Sequence, residues 1–190
     1  MPAAPRPRSA RFRSAAAAAV LALLASCASS PPREAQPPPP AARQIAPTGT
    51  QTKAVANLAS ASGSLVSGRM LLVQAADGVR VRGQVGGLVR NGAHGLQVHE
   101  RGDCSAVDAR SAGRYYDPLA GAQQDGAVGV TPGRIVAGPD GVATVDLVVR
   151  GAVLGGGSDN DILGRSLLVL GATPGAISAR VACAVITATE

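Results

Sequence analysis

Residues 92–104 read Gly92-Ala93-His94-Gly95-Leu96-Gln97-Val98-His99-Glu100-Arg101-Gly102-Asp103-Cys104, and this stretch is the most informative part of the chain. It follows the turn-forming pair Asn91-Gly92, and its apolar residues Leu96 and Val98 alternate with polar ones, which is typical of a β-strand. Both histidines of the chain lie within it. Because imidazole is the usual protein ligand for copper, two histidines cannot build a histidine-rich copper site and a zinc site together.

The sequence around this strand predicts an all-β fold. Residues 78–85 alternate apolar and polar side chains, and the turn at residues 76–78 joins them to residues 67–75 in a hairpin. No apolar pattern indicates a helix of about ten residues. We therefore predict about eight strands in a sandwich or barrel. Besides the opening stretch, the stretches that indicate strands lie at residues 67–75, 78–85, 135–137, 142–149, 165–170 and 180–186.

Four stretches resemble the Cu/Zn superoxide dismutase family, and the resemblance covers essentially all of residues 53–188. Residues 92–104 resemble the family's copper-binding strand, G-x-H-G-x-H-x-H-E-x-G-D-C. Residues 111–118 (S-A-G-R-Y-Y-D-P) resemble S-A-G-G-H-F-N-P, residues 140–143 read D-G-V-A, and residues 180–186 (R-V-A-C-A-V-I) resemble R-[IL]-A-C-G-V-I. The resemblance implies an eight-stranded Greek-key β-barrel, copper and zinc cofactors, and conversion of superoxide to oxygen and hydrogen peroxide.

The resemblance also assigns roles to residues beside the metals. It pairs Cys104 with Cys183 in a disulfide, which would contribute about 4–5 kcal/mol in the chain-entropy model; the alternative is two buried free thiols. Arg180 matches the arginine that borders copper and guides superoxide. We favour a second role for Arg180, in which it holds the loop around Cys104 through hydrogen bonds to carbonyl groups. His94 matches a histidine that bonds to the backbone and not to a metal.

The copper-ligand positions depart from the family pattern. Where the family has four histidines, this chain has Gln97, His99, Tyr115 and Leu170, and the third of these positions is the one that bridges copper to zinc. Glutamine cannot bind copper as imidazole does, and leucine offers no ligand atom. The single remaining copper-type ligand is therefore His99.

The zinc and anion-guiding segments depart as well. The loop at residues 119–133 contains no histidine, its only acid is Asp125, and Thr131 stands near the family's zinc aspartate. The anion-guiding segment is shortened to residues 171–176 and carries no charged residue. We therefore predict neither a metal site nor a cofactor.

Two residues at the former ligand positions have alternative interpretations. His99 either nucleates another metal site with Glu100, Asp103 or Tyr115, or is an inert, hydrogen-bonded strand histidine. We favour the inert role, because Glu100 should point to the opposite face of the strand. For Tyr115, we predict that the ring fills the emptied metal cavity through packing and a hydroxyl hydrogen bond.

The N-terminal region predicts export and a lipid anchor. Four arginines precede an apolar run at residues 15–25 that is too short to span a bilayer as a mature helix. The sequence Leu24-Ala25-Ser26-Cys27 resembles a bacterial lipobox, in which the peptide is cut before the cysteine and the cysteine becomes lipid-modified. The alternative is a plain secretory signal. Because Ala28 is not acidic, we expect the outer membrane, with the domain facing the periplasm.

These observations divide the chain into three parts. Residues 1–26 form a signal peptide, residues 27–52 a Pro/Ala-rich disordered tether, and residues 53–190 the superoxide dismutase-like barrel. The net charge of +6 falls to about +2 when the four signal arginines are removed, so the basic balance does not indicate nucleic-acid binding.

The predicted function is that of a lipid-anchored superoxide dismutase-like domain that has lost most copper and zinc ligands. We expect a pseudoenzyme that serves as a non-catalytic binding or structural module. The alternative is a superoxide dismutase with a noncanonical metal site. The expected partner is the membrane, through Cys27, and a homodimer would be consistent with the family.

Overall fold

The computed structural model describes residues 41–122, 133–171 and 179–189. The regular secondary structure of this part of the chain is almost entirely β-strand, and its one helical element is the 3-10 turn Arg110–Ala112. The strands are β1 (Lys53–Ser60), β2 (Ser67–Ala75), β3 (Gly78–Gly86), β4 (Ala93–His99), β5 (Tyr116–Asp117), β6 (Gly121–Ala122), β7 (Arg134–Val136), β8 (Ala143–Arg150), β9 (Ser166–Leu170), β10 (Arg180–Val185) and β11 (Thr187–Ala188).

The main sheet is antiparallel and runs in the order β7-β4-β9-β10-β1-β2-β3-β8, with β11 paired to β1. Strands β1, β2 and β3 follow one another as hairpins, whereas β4 pairs with β7 and β9, and β3 pairs with β8. The connections after β3 and after β7 therefore cross between the two halves of the sheet in a Greek-key arrangement. The eight strands curl into a nearly closed barrel, which confirms the predicted all-β, eight-stranded fold.

The barrel core is built from aliphatic side chains. In β3, Val79, Val81 and Val85 are fully buried while Arg80 and Arg82 are exposed, as their alternation predicts. Tyr116 is the one aromatic residue in the main core cluster of the described residues. Branched aliphatic residues suit packing on a pleated surface. The largest fully buried side chains are Met70, Leu72, Leu154, Ile162, Leu167, Leu168 and Ile186.

A disulfide joins Cys104 to Cys183, with their Cα atoms 5.8 Å apart and 79 residues between them in the sequence. It connects the loop after β4 to β10. The bond lies in a small apolar cluster of its own outside the main core, with Leu168 and the alanines Ala61, Ala109 and Ala112. The predicted disulfide is thus confirmed.

The folded unit begins earlier than the sequence predicted. Residues 41–190 belong to one compact unit, and residues 41–52, which the sequence assigned to the disordered tether, are bonded to the barrel. The backbone of Gln51 donates to the Leu154 carbonyl (2.8 Å), and Ala46 exchanges two hydrogen bonds with the Asn160 side chain (2.9 and 2.8 Å). The sequence did not predict these contacts, because the segment follows a proline-rich stretch and its partners lie more than a hundred residues away.

The predicted signal peptide, Cys27 and residues 28–40 of the predicted tether lie outside the described residues. In the described part of the chain, no helix is long and apolar enough to cross a bilayer.

Candidate functional site

The former copper-ligand positions meet on the outer face of strands β4 and β9. Gly95 lies opposite Leu170, Gln97 opposite Leu168, and His99 opposite Ser166. Because side chains alternate along a strand, these residues share the face opposite Leu96 and Val98, which point into the core. The register of β4 and β9 places Gln97, His99 and Leu170 on one surface.

Leu170 makes this surface apolar. Its side chain is only 8% exposed and packs over the backbone of Gly95, where an added Cβ would stand 3.3 Å from the Leu170 Cδ1 atom. Gln97 is half-buried beside it. A hydrocarbon side chain thus covers the part of the strand where the family has a ligand nitrogen.

His99 is buried and bonded to the backbone. Its Nδ1 lies 3.0 Å from the Gly113 carbonyl oxygen. Because a carbonyl can only accept, Nδ1 carries the proton in this contact. This hydrogen bond agrees with the structural role that the sequence favoured for His99. His94 is similar: it is buried, and its Nδ1 bonds to the Leu170 carbonyl at 3.1 Å across to β9, as expected.

Arg180 bonds to the same carbonyl as His99. Its Nη2 donates to Gly113 O at 2.7 Å, and its Nη1 donates to Ala109 O at 2.8 Å. These are the carbonyl hydrogen bonds that the sequence analysis favoured for Arg180. The guanidinium therefore holds the loop that carries Cys104 and the Arg110–Ala112 turn against β10.

Tyr115 lies beside His99, to which it is joined by an isolated antiparallel bridge. Its ring is buried, as predicted. Burial, with a smaller contribution from the charge of Asp117, raises the pKa of Tyr115 to about 12. The predicted hydrogen bond of its hydroxyl to the protein is not present among the described residues. Packing of the ring, and not a hydrogen bond of the hydroxyl, therefore holds Tyr115 beside His99.

The acids near His99 are committed to other contacts. Glu100 faces Arg114, with Nη2 and Oε2 3.3 Å apart. Asp103 accepts a hydrogen bond from the Ser105 backbone N–H at 2.8 Å, which is the main cause of its lowered pKa. No group of three or more His, Cys, Asp or Glu side chains in the described residues could hold a metal ion. Asp125, Thr131 and residues 172–176 of the shortened segment lie outside those residues.

A second polar cluster, around Tyr116, escaped the sequence analysis. The Arg43 guanidinium donates to the Tyr116 hydroxyl (2.9 Å), to the Pro118 carbonyl (3.2 Å) and to the Asp159 carbonyl (2.7 Å). The Tyr116 hydroxyl in turn donates to the Asp159 carbonyl. The Arg165 guanidinium stacks on the Tyr116 ring, 3.6 Å from its centroid. An arginine in a proline-rich stretch gives no sequence signal for such a contact.

The barrel, its disulfide and the face of β4 and β9 define a superoxide dismutase-like class of fold. The family model for copper/zinc superoxide dismutase (SODC) matches residues 66–186. The chain is 34% identical over 139 residues to "Superoxide dismutase [Cu-Zn] 2" of Mesembryanthemum crystallinum, an alignment that covers 64% of this chain and 86% of that protein. The chain belongs to the Cu/Zn superoxide dismutase family.

The residues present do not fit the family's metals. Copper would meet the apolar Leu170 side chain, which packs on Gly95, and the amide of Gln97. A metal charge with an incomplete set of ligands is costly to bury. The fold of the family is therefore present here without the donor set that its metals require.

Proposed function

We propose that the chain is a lipid-anchored superoxide dismutase-like domain that acts as a non-catalytic binding or structural module. One observation carries the proposal: three of the four former copper-ligand positions are Gln97, Tyr115 and Leu170 instead of histidine, and the Leu170 side chain packs on Gly95. Dismutation needs a redox metal, and an amide, a phenol and a hydrocarbon at these three positions do not supply the set of ligands that copper prefers.

Contacts within the protein support this proposal. His99 and Arg180 both bond to the Gly113 carbonyl, and the Cys104–Cys183 disulfide closes the same loop. Tyr115 and Leu170 are buried where ligands would otherwise be needed. The surface is thus closed by packing and backbone hydrogen bonds, which is what a domain without metal catalysis requires.

Export and anchoring complete the proposal. A signal peptide over residues 1–26 would be cut before Cys27, and lipid on Cys27 would hold the barrel at the outer membrane facing the periplasm. The disulfide supports an oxidising compartment, because such bonds persist outside the cytosol. The proline-rich residues that precede Ala41 would act as a semi-rigid spacer.

The test is metal loading. The full chain is incubated with copper and zinc, the bound metal is counted by mass spectrometry under native conditions, and superoxide consumption is followed in the same sample. We expect no stoichiometric copper and no turnover. The matched control is the variant Gln97→His, Tyr115→His, Leu170→His, which restores the imidazole positions and should gain copper. One bound copper per unmodified chain, with superoxide turnover, would establish the alternative of a noncanonical metal site.

A further inference from the structure

A cavity opens between strands β4 and β8. Strand β7 pairs with β4 only at Ala93, His94 and Gly95. β8 pairs with β3 along one edge. Among the described residues, no strand pairs along its other edge or joins it to the rest of β4. Within the part of the chain that the structure describes, a cavity of about 330 Å³ lies beside the second half of β4.

The cavity has an apolar interior. Leu96, Val98 and Leu167 line it from the barrel core, and Leu147 and Val149 line it from β8. A concave, mostly apolar site of about 300 Å³ or more is large enough for a small organic molecule. Tyr115 and Tyr116 also line the cavity, together with Leu119, whose side chain is exposed.

The polar groups of the cavity carry no net charge. Asp117 and Arg150 both line it and cancel each other formally. Asp117 is also engaged in its own turn, because Oδ1 accepts hydrogen bonds from the backbone of Leu119 (2.8 Å) and Ala120 (3.0 Å). Arg150 is exposed to solvent, so the apolar interior of the cavity itself presents no charged group.

One polar group of the lining remains available. The Tyr115 hydroxyl makes no hydrogen bond within the described residues. The raised pKa of Tyr115, about 12, keeps this hydroxyl protonated near neutral pH, so that it can donate. A hydroxyl on the wall of a cavity can donate to an acceptor on a bound molecule.

We propose that this cavity binds an uncharged, apolar small molecule that carries one hydrogen-bond acceptor, such as an aliphatic alcohol, with the acceptor at the Tyr115 hydroxyl. The inference goes beyond the proposed function and gives the binding module a ligand class. Its test is separate from metal loading, since it measures the occupancy of the cavity by a probe that is not a metal.

The two tyrosines provide a built-in reporter. The chain has no tryptophan, and Tyr115 and Tyr116 are its only tyrosines. Both line the cavity, so intrinsic tyrosine fluorescence of the full chain reports on this site. We titrate 1-octanol, octanoate and octylammonium and expect a saturable change with 1-octanol. The two charged probes should bind at least about tenfold more weakly, because burying an ion without a partner is costly.

Variants separate the apolar and polar contributions. Leu147→Phe places a larger side chain in the cavity and should abolish saturable 1-octanol binding. Leu71→Phe, at an exposed position on β2, is the matched control and should bind as the unmodified chain does. Tyr115→Phe keeps the ring and should weaken 1-octanol binding about threefold to tenfold, the effect of one neutral hydrogen bond.

Three outcomes would overturn the proposal. The first is the absence of a saturable change with 1-octanol. The second is equal binding of 1-octanol by a folded Leu147→Phe variant, with folding checked by circular dichroism. If that variant does not fold, the Tyr115→Phe variant decides, and unchanged affinity there rejects the hydrogen bond and with it the site.

Discussion

The two sides of His99 have different chemistry. On one side lies the loop that carries Cys104, where Arg180 and His99 bond to the Gly113 carbonyl and a disulfide closes the loop. On the other side lies the face of Gln97 and Leu170, where the family places metal ligands and this chain places an amide and a hydrocarbon. The residues that bond to backbone, His99 among them, match the family pattern, whereas Gln97 and Leu170, whose partner would be a metal, do not.

This difference indicates which contacts hold the fold. Backbone carbonyls near Gly113 are buried and need donors whether or not a metal is bound. A position that would bind a metal needs no hydrogen-bond partner when no metal is bound. At Leu170 a hydrocarbon side chain occupies this position by packing on Gly95. We therefore expect the loop side to dominate the free energy of unfolding and the former ligand side to contribute less.

The largest expected effect is loss of the disulfide. The variant Cys104→Ser, Cys183→Ser should lower the free energy of unfolding by about 4 kcal/mol, because the bond closes a long loop in the unfolded chain. Urea denaturation measures the change, with Cys27→Ser as the control that removes a cysteine outside the bond. A loss below about 1 kcal/mol would show that the loop side is held by its hydrogen bonds alone.

Removal of the Arg180 guanidinium should come next. Arg180→Ala leaves the carbonyls of Ala109 and Gly113 without their charged donor and should cost about 3 kcal/mol, since hydrogen bonds to charged groups are worth roughly 1.5–3 kcal/mol each. Arg90→Ala is the control, because Arg90 is exposed and makes no hydrogen bond or ion pair within the described residues. Equal stability of the two variants would contradict the assigned role.

The former ligand side should respond less. Leu170→Ala removes a buried side chain at the barrel surface and should cost about 2 kcal/mol, the lower end for a buried leucine. Gln97→Ala, on the same face and half-buried, should change stability by less than about 0.5 kcal/mol. Denaturation of both variants compares them directly. If Gln97→Ala proves the more costly, the amide has a bonded role that the packing does not reveal.

The sequence predicted those parts of the molecule that depend on local pattern or on the family motifs. The alternation of Val79, Arg80 and Val81 fixed the faces of β3, and the cysteine motifs paired Cys104 with Cys183. The contact of Arg43 with Tyr116 was not predictable, because 73 residues separate them and no periodicity marks either one. Long-range contacts of single polar side chains depend on the tertiary packing and leave no local signature.

The cavity was not predictable for a related reason. It depends on where β7 stops pairing with β4, at Gly95, and strand ends are set by tertiary packing as much as by local propensity. The sequence did place Tyr115 at a former ligand position and predicted its burial. It did not indicate that the hydroxyl would be left beside an apolar cavity without a partner among the described residues.

The smallest effect concerns the ionisation of Tyr115. Its pKa is raised from 10.0 to about 12 in the folded chain, mainly by burial. A group whose pKa is higher in the folded state binds its proton more tightly there, so its contribution to stability is complete below pH 10 and is lost as the pH rises from 10 to about 12.

Absorbance of the phenolate at alkaline pH should therefore show Tyr115 ionising near pH 12, and Tyr115→Phe should remove that step. The variant should also flatten the decline in stability across this pH window relative to the unmodified chain. An ionisation of Tyr115 near pH 10 would mean that burial does not raise its pKa and that its hydroxyl is fully hydrated.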